Sequence, residues 1–321
     1  MKKVLSLLIA FVLVGCFAAC SNETKSTEEK KITVGICQLV QHEALDAATK
    51  GFIDTLTAKY GDKIEFLNEN ASGDVQTCTT IINNFTNKKV DLILANATPA
   101  LQAAANGTTD IPILGTSITE YGTALGIDDF NGTVGANISG TSDLAPLDEQ
   151  AAMIKELFPD AKTVSILYCT SEANSAYQVK IVKENLEKLG CTVVESAFTD
   201  SNDVTVAATK AAMSDVIYIP TDNTAASCAS TINGVIGTTP VIAGEEGICK
   251  GCGVATLSIS YYDLGKTTGE MAIKILEGTE KIENMQVEYT SAVKKYNKTK
   301  CTELGIDTAA LESNGYIAIE D

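Results

Sequence analysis

The apolar stretch Val216–Ile219 is followed directly by small polar residues and an alanine-rich helical pattern. Four apolar residues in a row predict a strand buried on both faces, as in a parallel sheet covered by helices. In open α/β sheets, ligands bind beyond the carboxyl ends of the strands, where the next helix presents unpaired N–H groups. We therefore expect residues 221–223 to face a ligand. The alternative is that Asp222 or Asn223 only caps the helix.

The same strand, polar tip and helix arrangement recurs along the chain. Apolar runs predict strands at 32–36, 64–67, 92–95 and 111–114, and again at 163–168, 193–194, 216–219 and 240–243. Helical periodicity separates most of these strands. The alternation predicts an α/β fold made of two doubly wound, Rossmann-like lobes. Repetition of the polar tips favours a ligand site over isolated helix caps.

The tips of the two predicted lobes correspond by element. Residues 38–42 correspond to 170–175, residues 96–98 to 221–223, and residues 115–119 to 244–246. Two lobes that direct polar tips outward predict a ligand cleft between them. The candidate ligand-binding residues are Gln38, His42, Asn96, Ala97, Thr98, Ser117, Thr119, Glu172, Asn174, Ser175, Thr221, Asp222, Asn223 and Glu246.

Polar and proline-containing segments predict where the chain passes between the lobes. Residues 140–146 and 258–262 read as two crossings, and the tail from Val287 onward as a third. The predicted first lobe is 32–143 with 260–285, and the second is 144–259 with 286–321. Several crossings form a hinge that lets the cleft close on a ligand.

The N-terminal residues predict export rather than part of the fold. Two lysines precede an apolar run that is too short to span a membrane easily, which is typical of a signal peptide over residues 1–20. Cys20 fits a lipobox and is the favoured lipidation site; Cys16 is the second choice. Residues 21–31 predict a flexible tether. We expect a lipid-anchored protein on the outer face of the cell membrane, and the alternative is a secreted protein with a disulfide-bonded Cys20.

Charge and cysteine content exclude several kinds of partner and site. The formal net charge is -17, which excludes nucleic acid and anionic membrane surfaces as partners because both require Lys and Arg. Ten cysteines show no paired metal-ligand spacing, and His42 is the only histidine. Cys249 and Cys252 form either a local disulfide or free thiols. We expect no metal and no cofactor.

Several segments together resemble a known family over essentially the whole mature chain. They are 38–46 (QLVQHEALD), 97–102 (ATPALQ), 142–143 (SD), 171–175 (SEANS), 220–223 (PTDN) and 261–265 (YYDLG). The chain is similar to ABC-transporter substrate-binding lipoproteins of the tryptophan/tyrosine-binding kind, which have the type I periplasmic-binding-protein fold. The resemblance implies capture of an amino acid, often aromatic, for a membrane permease and its ATPase.

The tips suit a zwitterionic ligand of that kind, which needs donors for its carboxylate and acceptors for its ammonium group. Asp222 or Glu246 is the expected ammonium partner. Gln38 and His42 are expected at the side-chain end, where their polarity favours tyrosine. The expected carboxylate donors are Thr98, Ser117 and Thr119, while Asn174, Ser175 and Asn223 suit either role.

Other functions stay open from the residues alone. Cys37 or Cys169 with His42 would form a thiol nucleophile and base, but no nucleophile elbow or P-loop supports an enzyme. A surface-exposed lipoprotein acting as an adhesin is a further alternative, as is a binder of another small solute. Thr98 and Ser117 are also possible helix caps, and His42 a cap of the helix that follows it. We expect a monomer.

Overall fold

The computed structural model describes residues 31–319. The predicted signal peptide, nearly all of the predicted tether and both candidate lipidation cysteines, Cys16 and Cys20, lie outside this range. Within it, strands and helices alternate and build two sheets whose strands are mostly parallel. This confirms the predicted α/β fold class. No helix of residues 31–319 has the length and apolar character needed to cross a bilayer.

Thirteen strands are found within the described residues. They are β1 (Ile32–Gln38), β2 (Ile64–Asn70), β3 (Leu92–Asn96), β4 (Ile113–Ile118), β5 (Ile138–Ser142), β6 (Thr163–Cys169), β7 (Thr192–Phe198), β8 (Val216–Ile219), β9 (Val241–Ala243), β10 (Ala255–Ser258), β11 (Glu288–Tyr289), β12 (Val293–Tyr296) and β13 (Ile317–Ala318).

The α-helices of the same residues lie between and beside these strands. They are α1 (Glu43–Tyr60), α2 (Val75–Lys88), α3 (Thr98–Gly107), α4 (Tyr121–Leu125), α5 (Leu147–Leu157), α6 (Ala173–Lys188), α7 (Val204–Ala211), α8 (Asn223–Ser227), α9 (Ala229–Val235), α10 (Glu246–Cys252), α11 (Tyr261–Leu276), α12 (Lys298–Glu303) and α13 (Thr308–Ser313). Short 3₁₀ turns occur at Gly61–Lys63 and Ile282–Asn284.

Both sheets have the strand order of a doubly wound fold. The first sheet runs β11-β5-β4-β3-β1-β2, and the second runs β13-β12-β10-β9-β8-β6-β7. In each sheet the order reverses beside one strand, between β1 and β3 and between β6 and β8. Ligands of open α/β sheets bind at such a reversal, beyond the carboxyl ends of the strands. The tips of these four strands are therefore the expected ligand-binding region.

The central strands are apolar because helices cover both faces of each sheet. All five side chains of β3 and all four of β8 are buried. Helices α1 and α11 pack very closely on the first sheet, since a Cβ atom added at Gly265 would lie 2.0 Å from the Ala48 carbonyl oxygen. Glycine at this position lets the two helix backbones approach each other.

The chain passes three times between the two sheets. It leaves β5 for α5 and β10 for α11, close to the predicted crossings, and passes from β11 to β12 near the end. The predicted third boundary, at residues 285 and 286, is too early because Glu288 in β11 still pairs with Thr141 in β5. We call the first sheet with α1–α4 and α11 the first lobe, and the second sheet with the remaining helices the second lobe.

Strand β4 extends further than the sequence predicts. A strand was expected at 111–114 with a polar tip at 115–119, but β4 covers Ile113–Ile118. The pairing with β5 shifts register between Gly115 and Ile118, and Ser117 has a φ of 57° in this irregular segment. The bulge lets polar residues continue the strand while one of them turns toward the second lobe.

The eight cysteines within residues 31–319 all carry free thiols, and all of them except Cys228 are buried. Cys249 and Cys252 are thus free thiols rather than a local disulfide. Buried cysteines of this kind pack as small hydrophobic side chains. Over the described range, no group of His, Cys, Asp and Glu side chains has an arrangement that would hold a metal ion.

Candidate functional site

A small cavity of about 10 Å³ lies between the strand tips of the two lobes. This volume is far below the range of about 300–1,000 Å³ that is typical of small-molecule sites, so a ligand of amino-acid size enters only where the lining moves apart. It is lined by His42, Leu45, Ser117, Thr119, Asp143, Asn174, Thr221, Asp222, Asn223, Ala226, Glu245 and Tyr261. These residues come from both lobes and from the first crossing, so the cavity exists only where the lobes meet.

Four polar atoms of the cavity lining are shielded from solvent and have no hydrogen-bond partner among residues 31–319. They are His42 Nδ1, Ser117 Oγ, Asp143 Oδ1 and Asn174 Oδ1. An unsatisfied buried polar group costs about 1–3 kcal/mol, so such groups are rare without a function. Their concentration around one cavity indicates a polar ligand.

Asp143 is the carboxylate of the cavity that remains open to a ligand. It follows β5 at the first crossing, and its Oδ2 accepts a hydrogen bond of 2.9 Å from the Tyr261 hydroxyl at the start of α11. Burial raises the pKa of Asp143 to about 6, and the nearby hydroxyls of Tyr261 and Thr119 oppose this rise. A buried carboxylate with one free oxygen favours a cationic partner.

Both carboxylate oxygens of Asp222 accept hydrogen bonds from other groups of the protein. Its Oδ1 accepts from the Ala225 amide at 2.8 Å, and its Oδ2 accepts from the Cys169 amide and the Ser175 hydroxyl, both at 2.7 Å. Burial, followed by the negative charge of Glu172, raises its pKa. Asp222 therefore caps α8 and ties it to the tip of β6, which is the structural alternative foreseen for it.

Glu172 orients two amide side chains at the same tip. Its carboxylate accepts from the Asn223 amide N–H at 3.0 Å and from Asn223 Nδ2 at 2.7 Å. It also accepts from the Thr224 amide at 2.8 Å, the Thr224 hydroxyl at 2.7 Å and Asn174 Nδ2 at 3.2 Å. Because both amide nitrogens point at Glu172, the oxygens of Asn174 and Asn223 face away from it.

Two side-chain contacts join the lobes beside the cavity. His42 Nε2, at the start of α1, lies 3.3 Å from Asn223 Oδ1 in the second lobe. Lys250 forms a 3.1 Å ion pair with Glu43, which is exposed. Burial lowers the pKa of His42, so its imidazole is neutral at physiological pH. The His42 side chain does not cap α1.

Ser117 in β4 and Thr119, which directly follows β4, form one part of the cavity lining. Ser117 has a left-handed φ of 57°, which costs energy for a residue other than glycine. Such strain is common at binding sites. The Thr119 carbonyl is held by the Ser142 hydroxyl at 2.9 Å, which fixes the tip against β5. Their two hydroxyls supply hydrogen-bond donors to the cavity.

The structure brings half of the predicted residues to the cavity. Those that line it are His42, Ser117, Thr119, Asn174, Thr221, Asp222 and Asn223. Those that do not line it are Gln38, Asn96, Ala97, Thr98, Glu172, Ser175 and Glu246. Glu172 and Ser175 lie behind the lining, where Glu172 hydrogen-bonds to Asn223 and Ser175 to Asp222.

Gln38 and Asn96 support α1 instead of facing the cavity. Gln38 Oε1 accepts from the Thr49 hydroxyl at 2.7 Å, and Asn96 Nδ2 donates to Thr49 Oγ1 and the Leu45 carbonyl, both at 2.9 Å. Ala97 and Thr98 are buried at the start of α3, away from the lining. Gln38 and Asn96 thus hold α1, and the residue before this helix is His42.

Glu246 lies on the far side of the tip of β9. Its carboxylate pairs with Lys295, and it lines a separate surface pocket with Tyr262. The preceding residue, Glu245, lines the cavity and caps α10 through the Gly247 amide at 2.7 Å. Burial raises the pKa of Glu245 to about 7. The expected role of Glu246 as ammonium partner therefore lacks geometric support.

Sequence reasoning did not select five lining residues: Leu45, Asp143, Ala226, Glu245 and Tyr261. Asp143 and Tyr261 belong to crossings, and both lie in the segments that carry the family resemblance. Their position in two short segments that match the family is the sequence signal that points to these two residues. Leu45 and Ala226 follow predicted site residues by three positions, the spacing that places side chains on one helix face.

A wider groove of about 200 Å³ opens beside the cavity and is also lined by both lobes, sharing Asn223 with it. Its lining includes none of the buried, unpartnered polar atoms found within residues 31–319. We therefore place the candidate site in the smaller cavity.

Comparisons with known proteins agree with this geometry. Residues 33–311 match the family model of ABC transporter substrate-binding proteins. The chain is 40% identical over 293 residues to a tyrosine-binding protein of Clostridioides difficile (strain R20291), covering 86% of this chain and 85% of that protein.

Two solved structures are also similar. One is an ABC domain from Streptococcus pneumonia in complex with L-Trp, with a TM-score of 0.84 and 31% identity, covering 90% of this chain and all of that one. The other is the ligand-free, open structure of a substrate-binding protein with adhesive properties from Clostridium difficile. It has a TM-score of 0.67 and 38% identity, covering 90% of this chain and 99% of that one. The chain belongs to the ABC transporter substrate-binding proteins, whose role is binding rather than catalysis.

Proposed function

We propose that this protein captures an aromatic amino acid, with tyrosine favoured, and delivers it to the permease and ATPase of an ABC importer. The curated relative at 40% identity is a tyrosine-binding protein, and a structural relative holds L-Trp. ABC substrate-binding proteins are extracytoplasmic, which agrees with the signal-peptide pattern of the N-terminal residues.

The observation that carries the proposal is the buried carboxylate of Asp143 with its unpartnered Oδ1. An amino acid brings an ammonium group that supplies charge and hydrogen-bond donors to this oxygen. Asn174 Oδ1 is a second acceptor in the same lining. Asp143 thus replaces Asp222 and Glu246 as the proposed ammonium partner, while Ser117 and Thr119 keep their proposed role as donors to the ligand carboxylate.

The lining residues from the crossings are polar, whereas those from the starts of α1 and α8 include apolar side chains, and we use this difference to orient the ligand. Asp143 and Tyr261 lie at the hinge end, joined by a 2.9 Å hydrogen bond. The starts of α1 and α8 contribute Leu45 and Ala226, which supply apolar surface to the lining. We assign the amino and carboxylate groups to the hinge end and the aromatic ring to the α1 and α8 end.

Closure of the lobes on the ligand is part of the proposal. The structure is more similar to the L-Trp complex than to the open, ligand-free relative, although the open relative is closer in sequence. Contacts such as His42 to Asn223 cross the cleft and require closed lobes. The three crossings supply the hinge.

We also propose that a lipid on Cys20, or on Cys16 as second choice, anchors the protein to the outer face of the cell membrane. The lipobox-like residues and the polar stretch after them support this. Mass spectrometry of the protein purified from membranes tests the anchor, since a diacylglyceryl group on an N-terminal Cys20 is expected. An unmodified N-terminus downstream of Cys20 contradicts it.

The ligand class is tested by a thermal-shift screen of protein that has been unfolded and refolded to remove bound ligand, against the twenty amino acids and a panel of sugars. Binding stabilises by mass action, about 2.7 kcal/mol at a hundredfold excess over Kd. We expect shifts with aromatic amino acids that are lost in Asp143→Asn. Shifts with sugars alone contradict the proposal.

A second role in adhesion rests on one observation, the adhesive properties of the relative at 38% identity. Adhesion and amino-acid capture use different surfaces under this proposal. A variant such as Asp143→Asn, which loses the ligand, should still attach to host cells as the wild type does. If the wild type attaches to cells no better than an unrelated lipoprotein does, the adhesive role is contradicted.

A further inference from the structure

We propose that His42 selects ligands whose aromatic ring carries a hydrogen-bond donor, because Glu172 and Asn223 fix the tautomer that turns His42 Nδ1 into an acceptor. The ligands selected are phenols and indoles, such as tyrosine and tryptophan, over phenylalanine. The inference rests on the proposed capture of an aromatic amino acid. It adds which side chains recognise the hydrogen-bond donor on the ring, and the tautomer of His42 that does so.

The first step is the orientation of the Asn223 amide. Glu172 accepts hydrogen bonds from five donors, among them Asn223 Nδ2 at 2.7 Å. The opposite orientation would place the Asn223 oxygen against a carboxylate oxygen, with two acceptors facing each other. Asn223 therefore presents its Oδ1 to the first lobe, where His42 Nε2 lies 3.3 Å away.

The second step is the tautomer of His42. Asn223 Oδ1 only accepts hydrogen bonds, so Nε2 must carry the proton. Burial lowers the pKa of His42, and a neutral imidazole holds one proton on its two nitrogens. Nδ1 is then an unprotonated acceptor. It is shielded from solvent and has no partner in the part of the chain that the structure describes.

The third step is the position of this acceptor. His42 directly precedes α1 and Leu45 lies in its first turn, Asn223 and Ala226 come from α8, and all four line the cavity. This is the end proposed for the aromatic ring. A phenol O–H or an indole N–H that reaches Nδ1 satisfies it, whereas a phenyl ring leaves it buried without a partner.

The consequence is selectivity against phenylalanine. Leaving a buried acceptor unpaired costs about 1–3 kcal/mol, which corresponds to roughly a tenfold to hundredfold loss of affinity. The acceptor state also depends on closure, because His42 belongs to the first lobe and Asn223 to the second. The ring is therefore read only when the lobes have closed.

Nitrogen-15 NMR of the ligand-bound, histidine-labelled protein tests the tautomer directly, because His42 is the only histidine in the chain. We expect a protonated Nε2 and an unprotonated Nδ1 in the tyrosine complex at neutral pH. A proton on Nδ1, whether in the other tautomer or in an imidazolium, overturns the proposal. The measurement uses the wild-type sequence, so folding of a variant does not limit it.

Calorimetric titration with tyrosine, tryptophan and phenylalanine tests the selectivity. We expect the wild type to bind phenylalanine tenfold to a hundredfold more weakly than tyrosine, and His42→Phe to remove most of this difference. Glu172→Gln lets the amide of Asn223 reverse, so it should reduce the selectivity and raise the Nδ1-protonated fraction. Equal wild-type affinity for tyrosine and phenylalanine overturns the inference alone, whereas absence of binding by every amino acid overturns the proposed function.

Discussion

Replacing Asp143 by asparagine removes one charge from the cavity and keeps the shape of the side chain. Burial raises the pKa of Asp143 from its ordinary value to about 6. One pKa unit corresponds to about 1.4 kcal/mol, so holding this carboxylate ionised in the folded protein costs about 3 kcal/mol at neutral pH. Under the proposed function, an ammonium group at Oδ1 offsets that cost, and ligand binding would thereby favour closed lobes.

The expected effect on affinity follows from the same geometry. Removing one partner of a buried ion pair costs about 3–5 kcal/mol, and the lower end applies because asparagine keeps an acceptor oxygen. We expect Asp143→Asn to raise the Kd for tyrosine by roughly a hundredfold. Tyr261→Phe removes the 2.9 Å hydrogen bond to Oδ2 and should have a smaller effect in the same direction.

Isothermal titration calorimetry measures how much Asp143 contributes to affinity for the ammonium group. It uses a matched ligand pair, tyrosine and its deaminated analogue, which keeps the phenol and the carboxylate. Wild type should strongly prefer tyrosine, and Asp143→Asn should lose most of this preference, as a double-mutant cycle requires. Asp148→Asn is the control, because Asp148 is exposed on α5 and should leave both affinities unchanged. Equal losses for both ligands in Asp143→Asn would refute an ion pair at this position.

Two further predictions concern stability. Gly265→Ala places a Cβ atom 2.0 Å from the Ala48 carbonyl oxygen and should lower the free energy of unfolding, measured by chemical denaturation, by about 1–3 kcal/mol. The control is Gly234→Ala, whose Cβ atom meets nothing within 4 Å and which should be neutral or slightly stabilising. Equal effects of the two substitutions would contradict the close packing of α1 and α11. The pKa of Glu245 is raised to about 7 by burial, so its contribution to stability is full below about pH 4 and is lost as the pH rises through 7. Ligand-free protein should melt at a higher temperature at about pH 5.5 than at about pH 8, and Glu245→Gln should reduce the difference. A profile that Glu245→Gln leaves unchanged would show that this carboxyl group does not contribute.

Much of the fold was predictable because its strands are apolar on both faces. The buried run at Val216–Ile219 and its counterpart at Leu92–Asn96 identify a covered parallel sheet from local sequence alone. The sequence predicts the third crossing before β11, because this strand has only two residues and carries no strand pattern. Its membership of the first sheet depends on pairing with β5, which is a long-range contact.

The site was less predictable because capping and ligand binding use the same residue types. Asp222 at a strand tip has the sequence of either role, and only its contacts with the Ala225 and Cys169 amides show that it is a cap. Glu245 and Glu246 differ by one position, yet one lines the cavity and the other pairs with Lys295. Such differences depend on how the two lobes meet.

Small-angle X-ray scattering of stripped protein, with and without L-tyrosine, tests most directly whether the lobes close on an amino acid held by Asp143. We expect the radius of gyration to fall when tyrosine saturates the wild type, and to stay at the ligand-free value for Asp143→Asn at the same tyrosine concentration. An unchanged radius of gyration in wild type that calorimetry shows to be saturated would contradict closure. The same contraction in Asp143→Asn would contradict the role of this carboxylate.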